Sequence, residues 1–447
     1  MKAQFPTWLF LLTAGSIHAI AADESAVPAA RPAEMPVQSV VAQVLTNSPS
    51  LKAAHLKWQA ALERPEIVAA LPDPMLSYGY FFENVETRVG AMNQRFSLSQ
   101  RFPFPGKRRL ASTRAGKEAL LTFWDYHSQA RELILRAKTA CFDLHRIDAS
   151  REVLEEELIV LEEILGSARA RYESGDARSQ DILKAQLAAT GITNRLLEFE
   201  RMREATLTRL NALRDQPPST PLQLPTDLAL PALPPEEFLI ELALEYRQEL
   251  QAAGAGIERD QAALALARRE RWPDITLGVD YTQINDNIFS SPPDNGQDAV
   301  MGFVSINLPL WFGKLKAQER EAELRLQASR ETEAQLRATV QSEVREFWFR
   351  ARVARDQLEL YRDSLLPYAE QSLDSTRSGF ESGRATFLDV LDSQRALLNL
   401  RLGEVMTRDE LAKGLINLER AAGMDLDRLP PRAPETPQSQ NPTGAQP

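Results

Sequence analysis

Proline constrains this chain more than any other residue. Inside a helix it removes a backbone hydrogen bond and clashes with the preceding turn, at a cost of about 3 kcal/mol or more. The 447 residues include 28 prolines, yet none lies between Gly106 and Gln216, a stretch of 111 residues, and only Pro367 lies between Leu310 and Leu429. Two long helical tracts are therefore expected. From Lys107 to Glu173 is 67 residues and from Lys314 to Glu381 is 68, each roughly 100 Å of helix at ~1.5 Å per residue. Gly175 and Gly383 then mark tight reversals, with return helices from about Ala177 to Arg214 and from Ala385 to Ala422. Leu154, Leu158, Leu161 and Leu165 have the 4-3-4 spacing of a coiled-coil seam. Between the tracts, Pro217 to Pro235 holds seven prolines in 19 residues and reads as an extended connector.

The two halves repeat each other. Tyr172-Glu-Ser-Gly175 through Asp181-Ile-Leu183 corresponds to Phe380-Glu-Ser-Gly383 through Asp389-Val-Leu391, at an offset of 208 that also pairs Arg169 with Arg377 and Gln186 with Gln394. Upstream, Pro72-Asp73 matches Pro273-Asp274, and Gly106-Lys107 matches Gly313-Lys314. Three matches in the same order point to a tandem duplication. The expected organisation is a leader over 1–21, a first repeat over 22–216, the connector over 217–235, a second repeat over 236–429, and a Pro- and Gln-rich disordered tail over 430–447.

Each half also contains two short segments of period 2. Leu76, Tyr78, Tyr80 and Phe82 alternate with Ser77, Gly79 and Phe81; Ile275, Leu277, Val279 and Tyr281 alternate with Thr276, Gly278, Asp280 and Thr282. In the second pair, Leu98 and Phe102 face away from Ser97, Ser99 and Arg101, while Val304, Ile306, Leu308 and Leu310 face away from Ser305 and Asn307. Gln100 falls on the apolar face, a departure the pattern does not explain. The alternation suits transmembrane β-strands and equally a half-buried antiparallel sheet. Four strands are too few for a closed barrel, which needs roughly eight, so a membrane reading requires several chains to share one barrel. Glu83–Gln94 and Asn285–Ala299 are polar and read as exposed loops.

Acidic residues outnumber basic ones, 62 to 52, for a net charge of −10, which argues against a large nucleic-acid footprint. The single cysteine, Cys141, excludes an internal disulfide, and His55, His127 and His145 are scattered in sequence, so no metal cluster is expected. No nucleophile–base set or phosphate loop is visible. Neither an enzyme nor a cofactor is therefore expected. Met1-Lys2, an apolar stretch over Trp8–Ile17 and Ala19-Ile20-Ala21 form a cleavable export signal, with no cysteine nearby for lipidation.

Together these features resemble the TolC-type outer-membrane efflux factors, over roughly Val37 to Leu429. The most specific segments are Phe102-Pro-Phe-Pro-Gly106-Lys107-Arg108 and Phe380-Glu-Ser-Gly383 through Asp389-Val-Leu-Asp392. The resemblance implies a mainly α fold with a transmembrane β portion. Three copies would give four strands each to one 12-stranded barrel in the outer membrane of a Gram-negative bacterium, continued by an α-helical barrel through the periplasm. It implies a passive duct, with a periplasmic adaptor (membrane fusion protein) and an inner-membrane transporter as partners. Ala70-Leu-Pro-Asp-Pro-Met75 and Phe104-Pro-Gly-Lys107 are similar to the branch serving heavy-metal and related resistance-nodulation-division pumps. The rival reading is a periplasmic coiled-coil adaptor without its own barrel.

The resemblance also implies sites. Asp389 and Asp392, with Asp181 retained in the first half where Lys184 replaces the second acid, match carboxylates at a closed periplasmic entrance; ordinary solvated charges near a helix N-terminus fit as well. Gly175 and Gly383, with Ser174, Ala177, Ser382 and Ala385, form hairpin tips that would meet the adaptor, though a turn alone also demands glycine. Pro103, Gly106 and Lys107, and Gly313 and Lys314, mark strand-to-helix bends. Lys107, Arg108 and Arg109 would lie near lipid head groups, in inter-protomer pairs, or on an ordinary solvated patch. Pro367, matched by Ile159 in the first half, is expected to kink the second long helix.

Overall fold

The computed structural model describes residues 34–175, 178–290 and 292–428. The export signal and the tail over 430–447 lie outside the described residues. Both halves lay down two helices, two strands, a long helix and a return helix. In the first half these are α1 (Val37–Asn47), α2 (Pro49–Ala69), β1 (Met75–Thr87), β2 (Gly90–Phe102), α3 (Lys107–Glu173) and α4 (Ser179–Leu213). In the second they are α5 (Glu236–Tyr246), α6 (Gln248–Arg269), β3 (Ile275–Ile284), β4 (Ala299–Ile306), a long helix in two pieces, α7 (Phe312–Leu360) and α8 (Leu366–Glu381), and α9 (Phe387–Ala422).

The first long helix fills the proline-free interval expected for it. The second departs from it at one place: Tyr361–Leu365 forms a π turn between α7 and α8. Pro367 follows two residues later. It lacks the N–H that would bond Asp363 and its ring crowds that carbonyl; widening the preceding turn is one way a helix absorbs such a residue.

The strands form one antiparallel sheet in the order β1-β2-β3-β4. Register keeps the apolar positions together: Leu76 faces Leu98, which faces Val279, and Tyr78 faces Phe96, which faces Tyr281. On this face Leu76 is 72% exposed, Phe82 93% and Val300 71%. The opposite face carries Ser77, Ser97, Arg95, Asp280, Arg101 and Thr276, with Arg95 ion-paired to Asp280. Among the described residues no helix is long and apolar enough to cross a membrane.

Two local expectations are corrected. Glu83–Gln94 is not a loop: β1 runs to Thr87 and β2 starts at Gly90, leaving only Arg88-Val89 between them. A register shift between Tyr80 and Val85 absorbs the polar stretch. Gly90 takes φ 133° beside the Asn285 carbonyl, where a Cβ would collide at 1.7 Å. At the other end β4 stops at Ile306, so Leu308 and Leu310 lie beyond the strand, where Pro309 cannot donate to a ladder.

The helices pack in layers. Val40, Cys141, Leu144 and Leu210 close α1, α3 and α4 together, and Leu239, Val340, Val344 and Leu418 do the same for α5, α7 and α9. The leucine seam is real: Leu154 and Leu161 are buried, Leu158 and Leu165 half-buried, against α4 and α9. His55 and His127 are less scattered than their spacing suggests, since both touch the Tyr126 ring in one aromatic cluster.

Candidate channel, junction and docking sites

At the base of the sheet, the chain turns from β2 into α3 through Pro103-Phe104-Pro105-Gly106. Gly106 takes φ 95°, a left-handed conformation that favours glycine. Lys107 opens the helix, where the macrodipole opposes a cation, and the structure answers with Asp274. Its carboxylate accepts from Lys107 Nζ at 2.9 Å, from the Phe104 backbone N–H at 2.9 Å and from Arg101 Nε at 3.1 Å. Lys107 also donates to the Trp272 carbonyl at 2.8 Å, and Phe104 stacks on Trp272 with ring centroids 5.0 Å apart. Burial works against the Asp274 charge, but the bonds from Lys107, Phe104 and Arg101 hold its carboxyl below the ordinary range.

This corrects the expectation for Lys107. It is neither a lipid-facing nor a solvated residue but 7% exposed, tying the first half to the second within one chain. Arg108 donates to the Ala69 carbonyl at 2.6 Å, and Arg109 stays exposed. Gln100 has an account as well: its amide donates to the Pro72 carbonyl at 2.7 Å. The second bend is built differently. Gly313 and Lys314 lie inside the first turn of α7, and the chain bends at Leu308–Trp311 instead.

At the far end, Gly175 (φ 87°) and Gly383 (φ 74°) make the two reversals. Ser174 Oγ donates to the Arg171 carbonyl, and Ser382 Oγ to those of Ser378 and Gly379. Ala385 closes the second turn with its N–H on the Gly379 carbonyl at 3.1 Å. Ala177 lies outside the described residues. The tips stand side by side, because the Arg171 guanidinium lies 4.1 Å over the Phe380 ring. That contact escaped the sequence pattern, although Phe380 sits in the repeated motif.

Asp389 is the third residue of α9 and has a structural role of its own. It accepts from the Thr386 N–H and hydroxyl, both at 2.7 Å, while its own N–H reaches Thr386 Oγ1, a capping box. The Thr386 side chain first, then its backbone, hold the Asp389 carboxyl below its ordinary value. Asp392 is exposed, with Arg395 at 3.6 Å, and Asp181 lies in the first turn of α4. Deeper in, Gln394 donates to Glu157 at 2.7 Å across α9 and α3. Burial pushes the Glu157 carboxyl up, against the opposing pull of Gln394 and Arg401. Gln394 was legible only as one member of the offset-208 repeat.

Comparison with known proteins decides the family. The outer membrane efflux protein family model matches residues 40–214 and 239–424. The chain belongs to this family. The efflux protein is 27% identical over 406 residues to the outer membrane protein TolC of Vibrio cholerae serotype O1, covering 85% of this chain and 89% of that one. It is 28% identical over 201 residues to the cobalt-zinc-cadmium resistance protein CzcC of Cupriavidus metallidurans, covering 44% of each. Its fold matches the crystal structure of the outer membrane protein VceC of Vibrio cholerae with a TM-score of 0.72 at 20% identity, covering 87% of this chain and 96% of that one. A stand-alone adaptor without a barrel is thereby set aside.

Proposed function

We propose that this efflux protein is the outer-membrane duct of a tripartite pump, passing cargo from an inner-membrane transporter and a periplasmic adaptor out of the cell without catalysing a reaction. One observation carries the reading. A four-stranded sheet has one apolar, solvent-bare face, one polar face and two unpaired edges, and it is joined directly to helices of roughly 100 Å. Open edges and a bare apolar face are a liability in water. Both are satisfied when copies close a ring with lipid outside and water within. Three copies give 12 strands, above the minimum of roughly eight for closure.

In this reading the protein is exported and acts as a homotrimer in outer-membrane lipid. The tips around Gly175 and Gly383 meet the adaptor. Rings of Asp389 and Asp392, with Asp181 nearby in the repeat pattern, guard the entrance and favour cations. A resistance-nodulation-division transporter supplies the cargo; the similarity to CzcC over part of the chain supports the heavy-metal branch. Membrane fractionation, heat-modifiable migration on gels and planar-bilayer conductance test the duct. A soluble monomer without conductance would overturn it. A deletion strain that accumulates cobalt, zinc or cadmium ions supports the branch, and unchanged metal content refutes it.

A further inference from the structure

The join between the two halves supplies a template for the join between two copies. Inside the chain, β2 of the first half pairs with β3 of the second, and Lys107–Asp274 and Phe104–Trp272 lock the base of that seam. The repeat carries each member to a counterpart. Trp272 and Asp274 map to Leu71 and Asp73; the strand offset of 206 carries Phe104 to Leu310, and past one inserted residue in the second bend Lys107 maps to Lys314. These four lie at the outer strands of the sheet, Leu71 and Asp73 just before β1 and Leu310 and Lys314 just after β4. With three strand spacings between β1 and β4, about 14 Å, the two pairs cannot meet within one chain. All four residues are exposed, and among the described residues neither Asp73 nor Lys314 makes an ion pair.

Two independent features call for a second copy. Lys314 sits in the first turn of α7, where the macrodipole opposes a cation; Lys107 meets the same problem and has Asp274, whereas Lys314 has no carboxylate within its own chain among the described residues. Transferring the β2–β3 register onto β4 and the β1 of a neighbour sets Ile306 opposite Leu76, Val304 opposite Tyr78 and Val300 opposite Phe82. All six are exposed apolar residues, so the apolar face continues unbroken across the seam.

We propose that Lys314 of one protomer binds Asp73 of the next, with Leu310 packed on Leu71, as the inter-subunit counterpart of the Lys107–Asp274 lock. This rests on the ring assembly proposed above. The counterpart of Arg101 is Asn307, which carries no charge. The inter-subunit seam therefore has one cation where the internal seam has two, and is the weaker of the two joins.

Introducing Asp73→Cys and Lys314→Cys together into the full chain tests the contact, because the native Cys141 is buried. Under mild oxidation the double variant should give covalent dimers and trimers on denaturing gels, and each single variant only monomer. Charge reversal gives a second arm free of sulfur chemistry. Asp73→Lys and Lys314→Asp should each lower the trimer surviving heat in detergent about tenfold, and the combined swap should restore most of it. A trimer by native mass spectrometry with neither cross-link nor rescue overturns the pair and leaves the assembly standing. Wild-type protein that is monomeric in native mass spectrometry overturns the assembly, and the pair with it.

Discussion

Replacing Asp274 by alanine tests whether the buried junction holds the two halves together. The carboxylate is 4% exposed and has three partners of unequal weight. Arg101 is 54% exposed and regains water when released, so its loss costs little. Phe104 N–H is left without its acceptor, at about 1 kcal/mol. Lys107 is the main term. A buried charge stripped of its partner typically costs about 3–5 kcal/mol. Here the Trp272 carbonyl stays at 2.8 Å and Glu270 at 3.3 Å, which brings the term to about 2 kcal/mol. The sum is about 3 kcal/mol for Asp274→Ala. Asp274→Asn keeps a neutral acceptor and should lose about half of that. The assay is the thermal transition of the purified protein in detergent, followed by fluorescence, with Trp272 on Phe104 reporting the junction. The folded carboxyl titrates below its unfolded value, so its contribution is fully present above the unfolded pKa and is lost as pH falls through the folded one. The difference between wild type and Asp274→Ala should thus be constant near neutrality and shrink only in strong acid. A transition unmoved by alanine, or an asparagine variant as damaged as the alanine one, would refute the reasoning.

Neutralising Asp389 and Asp392 to asparagine should reduce cation selectivity and cation block in planar bilayers; unchanged block would sink the gate. Asp389→Ala should in addition cost about 1 kcal/mol through the lost capping box, readable as a lower melting temperature than Asp389→Asn shows. Gly383→Trp should abolish efflux while trimers persist, since a Cβ at Gly383 meets nothing within 4 Å and harms only the turn and what docks there; normal efflux would count against docking at the tip. Glu157→Gln should raise the melting temperature at neutral pH while keeping the bond to Gln394. Because the folded Glu157 carboxyl is raised, wild type should gain stability as pH falls from neutrality through its folded value, and the variant should lose that component. Pro367→Ala should restore regular helix at Tyr361–Leu365 and shorten channel open times in single-channel records; identical open times would rule out a part for the π turn.

The long helices were legible because they rest on a negative constraint. A stretch without proline and with a helical apolar stripe has few alternatives, and α3 runs from Lys107 to Glu173 as that argument requires. Strand parity was legible for the same local reason, but strand ends were not. Glu83–Gln94 is polar and so resembles a loop, yet a strand that outruns its apolar band keeps pairing with polar side chains. Asp274 was visible as half of a matched dipeptide, but its use depends on Lys107, 167 positions away. Pattern reading places no such contact. The physical hint is local: three cations open a helix at Lys107, Arg108 and Arg109, where the dipole resists them, so a buried one among them needs a carboxylate from elsewhere.

The duplication therefore matters most where it fails. At the junction, the halves share a lysine and an aspartate but not the second cation, so copies of one chain meet through a softer seam than the one inside each chain. At the tips, Asp389 and Asp392 stand where the first half has Asp181 and Lys184, so the second hairpin carries the greater negative charge. Pro367 and its π turn also belong to the second half alone, with Ile159 at the matching place in an unbroken α3. From Pro367 to Gly383 is 16 residues, about 24 Å of helix, so a 10° change at the π turn moves that tip by about 4 Å. The greater charge and the π turn thus lie on one hairpin of each pair, the one whose Phe380 ring sits under Arg171 of the other.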